Sequence, residues 1–430
     1  MAVDLYSKLT NEEDARACRD ISDAACRETP GNFLLILTAS FLTKLGDAIA
    51  SPKTVLAWVA TAAGAPAIVL GLLVPIRESG SMIPQLFIGG FVRALPVRKW
   101  VWVAGSVLQA MVIVGIGFVA ISMTGAAAGW AILGLITVFS LARGLCSVAS
   151  KDVLGKTIPK GRRGQLTGWS ASLAGMVTLV FGLALLLPSL RNLDAVLLGA
   201  VLIGASFLWL LAAGVYAMVR EERGETEGGA NAIRLALNSL VLLQRDKPFR
   251  RFVVARALLM CSALSAPYYV ALAQQRIGPS VYVLGLLVIA SGLASLLSAP
   301  LWGKFADRSS RQVMFAAASV TAATGLTLFL VDRVAPATIG TIWLLPLAYF
   351  VLSIAHSGVR VGRKTYVVDL ASGNNRTAYV SVSNTVIGGM LLAVGALGAL
   401  APLIGNAGMI GLLAAMGVAG ALLSSTLKEV

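Results

Sequence analysis

SPKTVLAWVATAAGAPAIVLGLLV, Ser51 to Val74, returns as APYYVALAQQRIGPSVYVLGLLV, Ala266 to Val288, in a chain of 430 residues. The displacement is about half the chain length. A second pair keeps nearly the same offset: GLCSVASKDVLGKTIPKGRRGQLTGWSASLAG from Gly144 lies over GVRVGRKTYVVDLASGNNRTAYVSVSNTVIGG from Gly358. Apolar segments resemble one another easily, but a common offset in separate segments is harder to obtain by chance. Two apolar halves repeated in the same order predict a membrane protein of the parallel-repeat kind, with its working site where the halves meet.

Hydrophobic residues make up 57% of the chain and charged residues 13%, with a mean hydropathy of +0.83, which is too apolar for a soluble protein of this length. Apolar runs stand at 33–60, 65–92, 101–123, 126–150, 168–190, 194–219, 252–275, 281–306, 313–333, 338–362, 379–404 and 406–427. Each is long enough to cross a hydrocarbon core as a helix, and none alternates as a barrel strand would. The expected fold class is an all-α membrane protein with twelve transmembrane helices in two six-helix pseudo-symmetric bundles. The expected divisions are a cytoplasmic segment at 1–32, a first bundle at 33–219, a linker at 220–251 and a second bundle at 252–430.

The formal charge of +15 and a pI near 10.1 raise the question of nucleic acid, but the position of the basic residues answers it. They cluster in every second loop: Arg93, Arg98 and Lys99; Lys151, Lys156, Lys160, Arg162 and Arg163; Arg245, Lys247, Arg250 and Arg251; Lys304, Arg308 and Arg311; Arg363, Lys364 and Arg376. The intervening loops offer Arg191, Arg276 and Arg333. The positive-inside rule therefore places both termini in the cytoplasm of a plasma or bacterial inner membrane, and no nucleic-acid partner is expected.

The first residues are polar and lack the apolar core of a cleaved signal. Thr10 to Glu13, TNEE, fits a capping box opening a short amphipathic helix that Pro30 and Gly31 end. Cys18 and Cys26 fall on that helix, where a reducing cytoplasm argues against a disulfide, and no metal-ligand spacing accompanies them. REERGETEGGAN, from Arg220, reads as flexible linker, and IRLALNSLVLLQ after it as a helix on the membrane surface.

GKFADRSSRQ, Gly303 to Gln312, places a glycine, then Asp307 and Arg308, then Arg311 on a cytoplasmic loop between two spans. It resembles the loop signature of the major facilitator superfamily, in which the glycine permits close helix packing and the Asp and Arg form a latch on the inward side. The resemblance implies that family's fold and transport activity. It makes Gly303, Asp307, Arg308 and Arg311 gate residues, with Gly90 and Arg98 as their counterparts in the first half. The first-half stretch GFVRALPVRK departs from the pattern by carrying Ala94 where the family has Asp. Arg143, in LARGLCSVAS, resembles the buried arginine of several proton-coupled branches.

An ionisable group in a spanning helix is costly facing lipid, so it faces a cavity or a partner. At ~1.5 Å per residue, Lys44 and Asp47 lie roughly 17–21 Å deep and Arg77 and Glu78 about 23 Å deep, close to one level. Asp47, in a span interrupted by Gly46 and Pro52, is the first candidate for a proton carrier, and Glu78, expected to pair with its neighbour Arg77, is the second. Lys44, Arg77, Arg143, His356, Arg360 and Asn384 are the candidate solute-binding residues. His356 is the sole histidine, one turn before Arg360. Positive groups outnumber the two carboxylates, which points to an anionic solute.

The functional expectation is a secondary active transporter moving a small organic anion by proton-coupled, or alternatively Na⁺-coupled, alternating access, as a monomer among membrane lipids. Two alternatives stand beside it: an exporter of drug-like or cationic, amphipathic metabolites, and a non-transporting protein on this fold such as a lipid scramblase or assembly factor. No nucleotide-binding loop, catalytic constellation, cofactor motif or metal cluster is visible in the sequence.

Overall fold

The computed structural model describes residues 23–84, 88, 91–92, 94–187, 195–224, 226, 241–306, 308–370 and 376–429. The Thr10–Glu13 capping box, Cys18, Gly90, Asp307 and most of the surface helix after the linker lie outside them. Among the described residues every regular element is helical. In chain order these are α1 (Asp23–Ile49), α2 (Val55–Ala62), α3 (Ala67–Met82), α4 (Lys99–Ser122), α5 (Gly125–Thr157), α6 (Lys160–Ala184) and α7 (Ala195–Ala217), then α8 (Leu242–Arg245), α9 (Lys247–Leu258), α10 (Cys261–Leu264), α11 (Ala266–Arg276), α12 (Val281–Ala306) and α13 (Ser310–Val334), and finally α14 (Pro336–Ile339), α15 (Leu344–Leu370), α16 (Arg376–Gly395), a 3₁₀ turn at Ala396–Leu400, and α17 (Ala401–Ser425).

Nine helical stretches among the described residues are long and apolar enough to cross a membrane. The predicted runs and these nine differ for local reasons. The run at 65–92 is described as the 16-residue α3, the run at 168–190 contributes the apolar stretch Leu173–Ala184, and the last two runs fall within one stretch, Val382–Ser425. Inside that stretch Gly405 takes φ +73°, a left-handed backbone open to glycine, and breaks the helical path. Large apolar side chains such as Phe118, Trp130, Phe207, Leu211, Trp343 and Leu403 are exposed on the outside, as expected of a surface solvated by hydrocarbon. The protein is a multi-pass integral membrane protein.

The repeat read from Ser51 and Ala266 has a structural counterpart. Helix α1 stops at Ile49 and α2 begins at Val55, while in the second half α10 stops at Leu264 and α11 begins at Ala266. Both breaks stand at a proline, Pro52 and Pro267, which lacks the N–H that would continue the ladder. Gly64 and Gly278, 214 positions apart, both take positive φ (+75° and +119°) in the turns that follow. Helix pairing recurs as well: α4 packs on α7 and on α5 and α3 on α5, just as α13 packs on α17 and on α15 and α12 on α15. Across the boundary α6 lies against α12 and α3 against α16, a reciprocal exchange that a two-fold relation of the halves produces.

The interruption expected at Gly46 is absent, since α1 runs through it, and a Cβ there would meet the Trp209 ring at 2.6 Å. The reading of the N-terminal cysteines is also corrected: Cys26 is disulfide-bonded, whereas Cys146 and Cys261 are free and buried.

Candidate functional site

The Pro52 break exposes backbone groups where a continuous helix would satisfy them, and the second half supplies partners. Tyr349 OH on α15 donates to Lys53 O at 3.3 Å, and Gln274 Nε2 on α11 donates to Trp58 O at 3.1 Å. Beside them α3 meets the turn after α16 backbone to backbone. A Cβ on Gly71 would lie 2.7 Å from Gly398 Cα and 2.8 Å from Tyr268 OH. These contacts close the molecule at the end remote from the described termini.

Below that closed end lies a cavity of about 440 Å³ lined by Lys44 and Asp47 of α1, Thr178 of α6, Ser291 and Ser298 of α12, and Arg360 of α15. A smaller one of about 140 Å³ shares Ser51, Ser291 and Arg360 with it and reaches Lys53, Ser262 and His356. Hydroxyls and cations from both halves therefore face one space, which suits a small polar solute.

Asp47 is held on both oxygens. Arg77 Nη2 lies 3.3 Å from Oδ1, and Arg143 pairs with Oδ2. The Arg77 guanidinium also stacks over Phe139, 4.8 Å from the ring centroid, and Arg143 Nη1 donates to Gln109 Oε1 at 3.5 Å. The expected Arg77–Glu78 pair does not form. Successive residues on a helix point about 100° apart, so neighbours in sequence rarely face one another. Glu78 has no ion pair among the described residues, and it stands in the field of Lys53, Arg77, Arg363 and Arg360.

Lys44 and Arg360 line the larger cavity, and neither has a hydrogen bond or ion pair among the described residues. Arg143 and Lys44 also border a separate space of about 210 Å³ with Gln109 and Cys146. Asn384 is placed elsewhere: its Oδ1 accepts from Arg256 Nη2 at 2.8 Å, beside Ser383, whose Oγ accepts from Nη1 at 2.5 Å. His356 borders the smaller cavity and binds Lys53 and Ser262.

The described members of the expected gate, Arg98, Gly303, Arg308 and Arg311, lie outside the lining of these cavities. Arg98 Nη1 pairs with Asp152 Oδ2 at 3.0 Å, and Arg311 Nε with Glu429 Oε2 at 2.6 Å. Arg308 is exposed, and a Cβ at Gly303 would meet open space, so the close packing implied for that glycine does not occur. Two acids missing from the sequence reading do the anchoring. Glu221, just past α7, accepts from the Arg98 and Lys99 backbone N–H groups at 2.9 and 2.7 Å and pairs with Lys156 Nζ at 2.9 Å. Glu429, just past α17, pairs with Arg311 and accepts from Ser309 Oγ. Each acid grips the start of the third long helix of its own half, where helix N-termini favour negative charge.

Residues 258–429 match the family model described as Major Facilitator Superfamily. No curated protein matches the chain by sequence. Among solved structures the chain resembles a D-xylose-proton symporter, with 17% identity over 92% of this chain and 97% of that one and a TM-score of 0.68. It also resembles the nucleoside transporter NupG, with 14% identity over 92% and 98% of the two chains and a TM-score of 0.66. A third is the xylose transporter XylE from E. coli in an inward open conformation, with 15% identity over 93% and 96% and a TM-score of 0.65. At such identities the likeness is one of fold. The second half, across 258–429, thus carries the sequence pattern of the Major Facilitator Superfamily, and nearly the whole length shares the fold of solved transporters.

Proposed function

We propose that the protein is a secondary active transporter of a small hydrophilic organic anion, such as a carboxylate or phosphate ester, coupled to protons. One observation carries the reading. Lys44 and Arg360 approach one cavity from opposite halves and have no hydrogen-bond or ion-pair partner among the described residues, while the cavity's carboxylate, Asp47, is already neutralised by Arg77 and Arg143. The cavity therefore carries uncompensated positive charge among hydroxyls, and an anion supplies what is missing. A cationic solute would meet the wrong sign.

In this reading the chain crosses the membrane twelve times, with bundles at 33–219 and 252–430, a linker at 220–251 and both termini in the cytoplasm of a plasma or bacterial inner membrane. The two bundles rock about the cavity in alternating access. The closed end remote from the termini corresponds to an inward-facing arrangement. Of the two candidate proton carriers, Asp47 would give up an ion pair on each oxygen to be protonated, whereas Glu78 would give up none among the described residues. That contrast favours Glu78 over Asp47 as the coupling carboxylate. The functions of Arg98, Arg308 and Arg311 as a cytoplasmic gate belong to the same proposal.

Purified protein in proteoliposomes, given an imposed pH gradient and a panel of radiolabelled organic anions, tests it. Accumulation of an anion above equilibrium supports the reading. Movement of lipid alone, or preference for cations, overturns it.

A further inference from the structure

Lys53 lies in the non-helical connector between α1 and α2, and its Nζ stands 2.9 Å from Nε2 of His356 on α15, a contact between the halves. The other ring nitrogen, Nδ1, is 3.0 Å from Ser262 Oγ on α10. That hydroxyl donates its single proton to Leu259 O at 3.0 Å. A hydroxyl with its proton committed can only accept from the ring, so the network assigns the imidazole proton to Nδ1 and a lone pair to Nε2. Lys53 is therefore the donor across the boundary. Among the described residues Glu78, in the same half as Lys53, is the one carboxylate whose charge acts on it.

We propose that Lys53 and His356 form a proton-operated clasp between the halves, with Glu78 as the alternative partner of Lys53. With the imidazole neutral, Lys53 is tied to the second half and the remote end stays closed. A proton taken up from water at Nε2 forms one N–H bond, removes the acceptor and sets two cations against each other. Lys53 then returns to Glu78 within its own half, and the boundary contact is lost. The element has two discrete arrangements, and one proton biases them.

The other charged groups acting on His356 are Arg360 and Arg363 of its own helix. Ser262 comes from α10, Tyr349 lies two turns away on α15, and α12 presents the hydroxyls of Ser291 and Ser295. The arginines stay charged between pH 5 and 8, so together with the burial of the ring they oppose its protonation and leave the sign of the switch unchanged.

The inference goes beyond transport, and its test reads conformation alone. Ala62→Cys and Gln275→Cys place spin labels on exposed positions of α2 and α11, with the unsubstituted protein as labelling blank. Distances are measured in nanodiscs from pH 8 to pH 5 by pulsed electron resonance. A separated population should grow as pH falls, by at most about tenfold per pH unit, the limit for one proton. His356→Gln keeps a neutral acceptor that does not titrate, so it should hold the short distance throughout. Lys53→Met should raise the separated population at pH 8, and Glu78→Gln should lower it at pH 5. A label pair indifferent to pH overturns the proposal, as does a pH response that survives in His356→Gln. The label pair without core substitutions decides the first point even if a variant fails to fold.

Discussion

Asp47 stands one helical turn beyond Lys44 on α1, yet it gives one carboxylate oxygen to Arg77 and the other to Arg143, and Lys44 faces the cavity without a partner among the described residues. Residues at this spacing share a helix face and commonly pair. Here two guanidiniums from other helices have taken the carboxylate, and the Lys44 ammonium is left toward the cavity.

Lys44→Gln or Arg360→Gln should therefore weaken anion binding by at least about tenfold each, roughly 1.4 kcal/mol, with little change in melting temperature, since no internal pair is broken. Thermal-shift titration of an anion that stabilises the unsubstituted protein checks this. Equal affinity in both variants would remove them from the site.

Asp47→Asn should be the unstable member of the carboxylate pair. It leaves Arg77 and Arg143 uncompensated, at about 3 kcal/mol, the lower end for breaking a buried pair, because about a fifth of the Asp47 side chain is exposed at 22%. Glu78→Gln breaks no ion pair and should fold normally, while losing accumulation driven by a pH gradient and keeping downhill exchange. Melting curves and paired uphill and downhill assays separate the two. Normal stability in Asp47→Asn would contradict the clamp.

The two acidic anchors should differ in strength. The Glu221 side chain is fully buried, with two backbone N–H groups and an ammonium on it, so Glu221→Ala should cost about 2–3 kcal/mol as a lost cap and a broken pair. Glu429 is 48% exposed, and Glu429→Ala should cost no more than about 1 kcal/mol. Chemical denaturation in detergent gives both values, and the reverse order would refute the assignment.

Gly71→Ala inserts a methyl where α3 touches the Gly398 backbone. Overpacking of this kind costs about 1–3 kcal/mol, and here it falls on the closed arrangement alone. Labels at Ala62→Cys and Gln275→Cys should move apart in this variant at pH 8. An unchanged distance would show that the contact adjusts without opening.

Much of the fold was legible because hydrocarbon leaves the chain few options: runs of about 20 apolar residues must be helices, and a half-length offset names the repeat. Depth along each span also brought Lys44, Asp47, Arg77 and Glu78 to one level. What depth does not give is azimuth, which is why Arg77 was matched to Glu78 and Asn384 to the cavity instead of to Arg256. Lys53 was passed over because its partner, His356, is 303 positions away and no local period links them. Glu221 sits past the end of its helix in a stretch that reads as flexible linker, and Glu429 past the end of the last helix, where no pattern marks it.

Glu221 closes the first half onto itself, and Glu429 closes the second. The described partners of Glu221 precede it in sequence and those of Glu429 are Ser309 and Arg311, so each anchor is complete within its own half. Halves that are each closed in this way need the connecting chain only to keep them at high local concentration. The polypeptide cut within 227–240 and expressed as two separate genes should yield fragments that insert independently and find each other in the bilayer, so covalent continuity is a convenience of synthesis and not a condition of the assembled machine.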